Sequence, residues 1–480
     1  MNRIRIEEIR LYERDIKLRL PFRFGVITLT EAPQALLHLR VQREDGQEAW
    51  GMAAEVLAPK WFDKNLELSN EDNFDQLRQS IYIATDLYTS DRRYRTPFEF
   101  FAEFYEPQLA ACEELNLNRL IGGYGPSLLD RAILDAVCRL QKTSFYTAVR
   151  TNLLGLTSIP ATPELKGFDF DSFLSSLEPA NSLHARHTVG LSDPLDSDDQ
   201  SEEDRLNDGL PETLVEVIQT YGQRYFKLKV GGSLLEDLDR LEAIARVLDS
   251  YCPFYFTTLD GNEQYSDLEQ LTELWQGMKS RQSLKQLLNS VIFIEQPVHR
   301  KNALGKRIPD GLERPVIIDE SDVDLDAFPR ARLLGYRGVS SKTCKGMYKS
   351  IINRARCRLW NREEGEKRYF MSGEDLTLQP GISVQQDLAL VSVLGIEHLE
   401  RNGHHYVAGL SYLPRQEQEA FLKAHPGLYI DDGIRIRINL QEGKLAIGSL
   451  DCIGFASAAE PLWETMRPMV RPEMAPIGLG

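Results

Sequence analysis

The sequence predicts an α/β protein: a modified (β/α)8 barrel of the TIM type, preceded by an N-terminal α+β capping domain. Three observations predict it. Eight short β-rich runs alternate with helical stretches between about 183 and 400. The first 60 residues alternate apolar and polar side chains in the manner of strands. Charged residues close successive apolar runs, and a barrel gathers its strand C-termini on one rim.

The capping domain is read over 1–155. QALLHLRVQREDGQEAWG gives two strands joined through Asp45-Gly46, a hairpin signal. A helical region follows. In SLLDRAILDAVCRLQ, 127–141, Leu128, Leu129, Ile133, Leu134, Val137 and Leu140 recur at helical spacing. The barrel is read over 156–402, with strands in HARHTVGL, YFKLKV, FYFTTLD, VIFIEQP, PVIIDES, YRGVSSK, RYFMSG and IEHLE. A doubly wound open sheet is the alternative, but no Gly-rich phosphate turn follows any of these runs.

The segment 192–209 carries eight acidic residues and almost no apolar bulk. It reads as a solvated, mobile β-to-α loop on the face where barrel sites lie, placed to cover the mouth of a site. Residues 403–480 end in strand-like GIRIRINL and KLAIG, which are expected to pack back on the capping domain.

Composition narrows the function. The chain has 480 residues, a net charge of -16 and 42% hydrophobic residues, enough for two or three domains with a large core. The acidic balance, with no basic run, argues against nucleic acid as a partner. The six cysteines are scattered without a CxxC pair, which fits a reducing compartment. The first twenty residues are charged throughout and no apolar run approaches a membrane span. A cytoplasmic location is expected.

Lys227 and Lys229 lie one residue apart in YFKLKVGG and so share a face of a strand. Alone, the pair is equally well read as a wet surface strand. The later runs add Asp260 in FTTLD, Glu295 in VIFIE, Asp319 and Glu320 in PVIIDE, Lys342 in GVSSK, and Glu374 and Asp375 after MSG. A single strand-terminal Asp is more often a helix N-cap. Five consecutive apolar runs each closing on a charge are not explained that way. Carboxylates brought together on a rim repel unless a cation sits between them. All-oxygen ligation suits Mg²⁺, with Mn²⁺ a possible substitute. A lysine near other cations and out of water has its pKa lowered, which makes it a usable base.

The set KLK, LDGN, IEQP, IDES and the lysine of SSKTCKG resembles the enolase superfamily. More narrowly it resembles the muconate-lactonizing-enzyme branch, with paired lysines, rather than the mandelate-racemase branch with its His-Asp dyad. None of the histidines at 299, 398, 404 and 405 sits at a seventh-strand end, and all read as structural or surface residues. PFRFGVITL and the hairpin that follows resemble that family's capping domain.

The resemblance implies that Asp260, Glu295 and Asp319 hold the metal and that Lys229 and Lys342 are bases on opposite faces of the substrate. It implies that Lys227 meets the substrate carboxylate and lowers the pKa of its neighbour. Asn262, Gln296, Glu320 and Glu374 are then expected near the site. The implied activity is Mg²⁺-dependent removal of the α-proton of a small carboxylate to give a metal-stabilised enolate, in a racemase, epimerase or cycloisomerase that forms a homo-oligomer.

The chain is longer than the usual member by roughly a hundred residues. KTCKGMYKS lacks the double glycine common after the sixth-strand lysine, and the segments 55–75 and 192–209 are unusual, so no substrate transfers. Three alternatives stand beside this reading. One is a Schiff-base lyase or aldolase using Lys342. Another is a syn-dehydratase like o-succinylbenzoate synthase. The third is a barrel without catalysis, serving as a scaffold.

Overall fold

The structure, a computed structural model, describes residues 3–24, 27–376 and 379–473. The capping domain is built on an antiparallel sheet of β1 (Ile4–Phe24), β2 (Ile27–Arg43) and β3 (Glu48–Val56). β2 turns into β3 through Gly46, whose φ of +85° is the left-handed conformation this tight turn demands. Four helices follow: α1 (Asn70–Tyr88), α2 (Pro97–Glu114), α3 (Arg119–Gly122) and α4 (Tyr124–Leu140). α1 and α2 start at capping boxes, Ser69 with Asp72 and Thr96 with Glu99, which satisfy the first free amides.

α4 is the helix expected over 127–141. Nearly all of its residues are buried, including both sides of the predicted stripe, because it lies between the sheet and the barrel. It approaches β3 so closely that a Cβ at Gly51 would sit 2.1 Å from the carbonyl oxygen of Ala132. Asp135 on this helix accepts the amide of Met52 at 2.9 Å, fixing the register of helix on sheet.

Eight parallel strands follow: β4 (Ser182–Val189), β5 (Tyr225–Lys229), β6 (Phe256–Asp260), β7 (Val291–Glu295), β8 (Val316–Ile318), β9 (Gly338–Ser341), β10 (Phe370–Gly373) and β11 (His398–Glu400). Each pairs with the next, and β11 closes on β4 through His398–His184, Leu399–Ala185 and Glu400–Arg186. This closed barrel is the one the strand-helix alternation predicts. The doubly wound alternative is overturned, since closure leaves no open edge.

Two expectations change. The acidic segment 192–209 is pinned at both ends rather than free. Asp193 accepts from the amide of Gly190 and the Tyr406 hydroxyl. Asp208 takes a two-pronged contact from Arg19 on β1 at 2.8 and 2.9 Å, joined by Arg435. Asp198, Asp199, Glu202, Glu203 and Asp204 are exposed, as charge suggested, but Asp208 finds arginines from the cap and from the C-terminal segment. In the C-terminal segment, Lys444–Ala446 pairs antiparallel with β4 of the barrel, and Ile436–Ile438 pairs with Tyr429–Asp431. The strand that reaches the cap is Arg467–Pro468, beside β1.

Among the described residues no helix is long and apolar enough to cross a membrane. All six cysteines are free, five of them buried.

Candidate active site

Register builds the site. Lys229 on β5, Asp260 on β6 and Glu295 on β7 are lateral partners, so their side chains share one level and one face of the sheet. Lys227 lies two residues below on the same face. Asp319 and Lys342 directly follow the last residues of β8 and β9. All six side chains are buried.

The charges are interleaved. Lys229 Nζ lies 2.6 Å from Asp260 Oδ2 and also donates to Asn262 Oδ1. Lys342 Nζ lies 2.6 Å from Asp319 Oδ2. The two lysines thus flank the carboxylate row in strand order, one on each outer member. Lys227 Nζ sits 2.8–2.9 Å from one oxygen each of Asp260, Glu295, Glu374 and Glu400. It was expected to meet a substrate carboxylate. Here its ammonium is met by four carboxylates of the protein, which is how a fully buried lysine stays charged.

The neighbouring side chains hold this frame. Gln296 latches β7 to β8: its Oε1 accepts from the amides of Asp319 and Ser321, and its Nε2 donates to Ser321 Oγ and the Val298 carbonyl. Asn262 donates to Glu320 Oε1 at 3.3 Å. Glu374 is held by Arg186 and Ser372 as well as Lys227. Asn262, Glu263 and Gln296 adopt left-handed backbone, with φ of 39°, 68° and 30°. Such conformations persist where surrounding bonds over-determine them. Here the amides of Gly261 and Glu263 bond to the carbonyls of Glu295 and Gln296. A Cβ at Gly261 would meet Pro297 Cα at 2.6 Å, so the glycine of LDGN permits this close approach.

Sequence reasoning missed five side chains at this site. Glu400 closes the eighth strand run, so the rule that found Asp260 applies to it equally. Arg186 lies inside β4 and carries no strand-end signal. Lys345 is brought under Asp319 by a single 3₁₀ turn after β9, and bonds Ser340 Oγ at 2.7 Å and Asp322 at 3.0 Å. Trp61 and Lys64 come from the cap, in the segment 55–75. The Trp61 ring centroid lies 4.3 Å from Lys342 Nζ, and Lys64 Nζ reaches the Asn262 carbonyl at 2.8 Å and Glu263 at 2.6 Å. The cap therefore roofs the barrel rim.

The proton affinities follow from the same interleaving of charge. Burial by itself lowers the pKa of Lys342, but the adjacent Asp319 carboxylate outweighs it and the pKa is raised. Lys227 is likewise raised well above the usual range, against its burial, by Asp260, Glu295, Glu374 and Glu400. The expected lowering rests on cationic neighbours; the protein side chains nearest these two lysines are anions. Burial, reinforced by the Asp260 and Glu374 carboxylates, pushes Glu295 well up. Asp319 is held below the usual carboxylate range, despite its burial, by Lys342 and Lys345.

Glu295 tests whether these residues fit a divalent cation. Among the described residues neither of its buried oxygens has a hydrogen-bond donor, with only the Lys227 ammonium close to one of them, and Glu320 Oε2 is likewise buried without a donor. A buried carboxylate left in that state calls for a cation. The all-oxygen donor chemistry of Asp260, Glu295 and Asp319 fits a hard ion such as Mg²⁺. Among the described residues these three are not drawn into one ligating cluster, since lysines hold Asp260 and Asp319 separately.

No protein-family model and no curated protein matches this chain. Solved structures do. A dipeptide epimerase from Cytophaga hutchinsonii, complexed with Mg and the dipeptide D-Ala-L-Val, matches with a TM-score of 0.59 and 14% identity over 98% of this chain and 99% of its own. The L-Ala-D/L-Glu epimerase from Bacillus subtilis matches with a TM-score of 0.56 and 14% identity over 95% and 100%. A mandelate racemase/muconate lactonizing enzyme from Roseovarius nubinhibens matches with a TM-score of 0.55 and 15% identity over 97% and 99%. With its closed eight-stranded barrel and its capping sheet and helices, this chain has the fold of the enolase superfamily.

Proposed function

We propose that this chain is an enzyme of the enolase superfamily, a Mg²⁺-dependent isomerase that abstracts the α-proton of a small carboxylate, acting as a racemase or epimerase. One observation carries the reading: Lys229 and Lys342 flank the row Asp260, Glu295, Asp319, each 2.6 Å from an outer carboxylate. The solved neighbours that act on dipeptides are epimerases, which supports the same class. Cycloisomerisation and syn elimination of water use the same first step, and the racemase reading is preferred because two opposed lysines suffice for it.

A bound Mg²⁺, held by Asp260, Glu295 and Asp319, would polarise the substrate carboxylate and acidify its α-proton; Mn²⁺ shares the oxygen preference. The lysines do the rest. The neutral amine of one takes the α-proton as the C–H bond breaks, leaving an enolate. The ammonium of the other returns a proton to the opposite face, inverting the carbon. Lys227 offsets the charge of Glu374 and Glu400 beneath the row, and Trp61 shields Lys342 from water. A homo-oligomer in the cytoplasm belongs to the same proposal.

The Schiff-base reading loses ground on the same geometry. An imine mechanism has no use for the buried carboxylate row Asp260, Glu295 and Asp319 that lies between the two lysines. The test is incubation with Mg²⁺ and carboxylate libraries in D₂O, with α-proton exchange read by NMR and mass. Exchange dependent on Mg²⁺ supports the proposal. Absence of exchange, together with borohydride trapping on Lys342, overturns it.

A further inference from the structure

Arg354, Arg358 and Arg362 recur every fourth residue along the helix Met347–Glu364, so they lie on one face of it. They line a cleft of about 780 Å³. Its other walls are Phe173 and Leu177 ahead of β4, Phe370 at the start of β10, and Val393 ahead of β11. These are the N-terminal ends of barrel strands. The cleft therefore opens on the face opposite the lysines and carboxylates of the candidate active site.

Among the described residues the three guanidiniums lack counter-ions. Among the described residues none of them makes an ion pair or side-chain hydrogen bond, and Arg354 Nε is buried without a partner. Most of the nearby acids are taken elsewhere: Glu363 pairs with Arg332, Glu364 with Arg332 and Arg368, and Glu366 with Arg368, while Glu178 makes no ion pair among the described residues. Lys367 and Glu178 also line the cleft. In a chain of net charge -16, acids to pair with arginine are abundant. Like charges four residues apart on a helix are destabilising. Three in a row, facing a concavity and unpaired, fit a site that awaits an anion.

The dimensions and chemistry select the anion. Successive arginines are about 6 Å apart along the helix axis, so the row spans about 12 Å. The guanidinium fork matches phosphate oxygens two at a time. The aromatic and aliphatic walls offer a surface for an apolar or planar body. We propose that this cleft binds an organic polyphosphate, a nucleoside di- or triphosphate in class, with its phosphates on Arg354, Arg358 and Arg362 and its organic part against Phe173, Leu177 and Phe370. The linear sequence hides this row because a fourth arginine, Arg356, buried and paired with Glu164, stands between Arg354 and Arg358, and only the helix aligns the three.

The test is calorimetric titration of the full chain at about 0.15 M salt, where exposed charges more than about 8 Å apart are largely screened. EDTA is included so that no metal bridges the probe to the opposite rim. The probes are ATP, inorganic triphosphate and citrate. Arg358→Ala and Arg362→Ala are the variants, since both residues are exposed and unpaired and circular dichroism will show an unchanged fold. Expected are saturable one-site binding of ATP, weaker binding of inorganic triphosphate, and a loss of about tenfold or more in each variant. The proposal is overturned by an absence of saturable ATP binding, by ATP affinity unchanged in the double variant, or by citrate binding as tightly as ATP. Equal affinity for inorganic triphosphate and ATP overturns the part given to the apolar walls.

Discussion

The ammonium of Lys342, on the barrel rim, lies 4.3 Å from the centre of the Trp61 ring, in the cap. Trp61 is held there from below: Arg300, just past β7, donates to the carbonyls of Trp61 and Phe62 at 2.7 and 3.0 Å. A cation over an indole face gains about 0.5–2 kcal/mol, and more where water is excluded. Trp61→Ala removes both the attraction and the roof. It is expected to lower kcat/KM by about tenfold or more, while Trp61→Phe retains most of the activity. Unchanged kcat/KM in Trp61→Ala would mean that the cap does not shield the site.

Lys229 and Lys342 are expected to fail separately. Loss of a positioned acid or base costs about 10²–10⁴-fold, so Lys229→Ala and Lys342→Ala each lose turnover on that scale. The informative reading is stereochemical. Each variant keeps one lysine, so each exchanges the α-proton of one substrate enantiomer with solvent deuterium and leaves the other untouched. Exchange of both enantiomers in either variant would sink the assignment of one lysine to each face.

Divalent metal is expected to stabilise the fold as well as activate it. A ligand at a hundred times its Kd adds about 2.7 kcal/mol of stability. The thermal midpoint therefore rises with Mg²⁺ and returns on addition of EDTA. Glu295→Gln abolishes that rise. A full Mg²⁺ response in Glu295→Gln would remove Glu295 from the metal site.

Much of this was legible in the chain because barrel geometry converts strand ends into one place. Asp260, Glu295, Asp319 and Lys342 could be found by asking which charge closes each apolar run. Glu400 obeys the same rule and was missed only because β11 is three residues long and its run is weakly apolar. Trp61 and Lys64 were not legible: nothing in a loop of the first domain states which barrel residue it will meet. Nor was the occupation of Lys227, since two of its four carboxylates, Glu374 and Glu400, come from strands 147 and 173 residues away. Asp193 and Asp208 were misread for a similar reason. Local composition reports charge, whereas burial is set by partners such as Arg19 that fold in from elsewhere.

The clamp between cap and barrel has its own pH signature. Glu263 is gripped by Arg300, with Nη2 at 2.8 Å and Nε at 3.0 Å, and by Lys64 Nζ at 2.6 Å. Burial by itself raises the carboxyl pKa, but the bonds from Arg300 and the charge of Lys64 outweigh it and hold it at about 2. The folded pKa is thus depressed below the unfolded one. The stabilisation is complete at pH values above about 4.5 and is lost as the pH falls toward about 2. At 1.36 kcal/mol per unit it amounts to about 3 kcal/mol at pH 7 and about 1 kcal/mol at pH 3. Glu263→Gln removes it. Urea melts of parent and variant should therefore differ at pH 7 and converge toward pH 3. Because Lys64 and Arg300 also carry the loop that bears Trp61, the variant should lose kcat/KM at neutral pH where its fold is intact. A stability difference of the same size at both pH values would show that the clamp acts through packing alone.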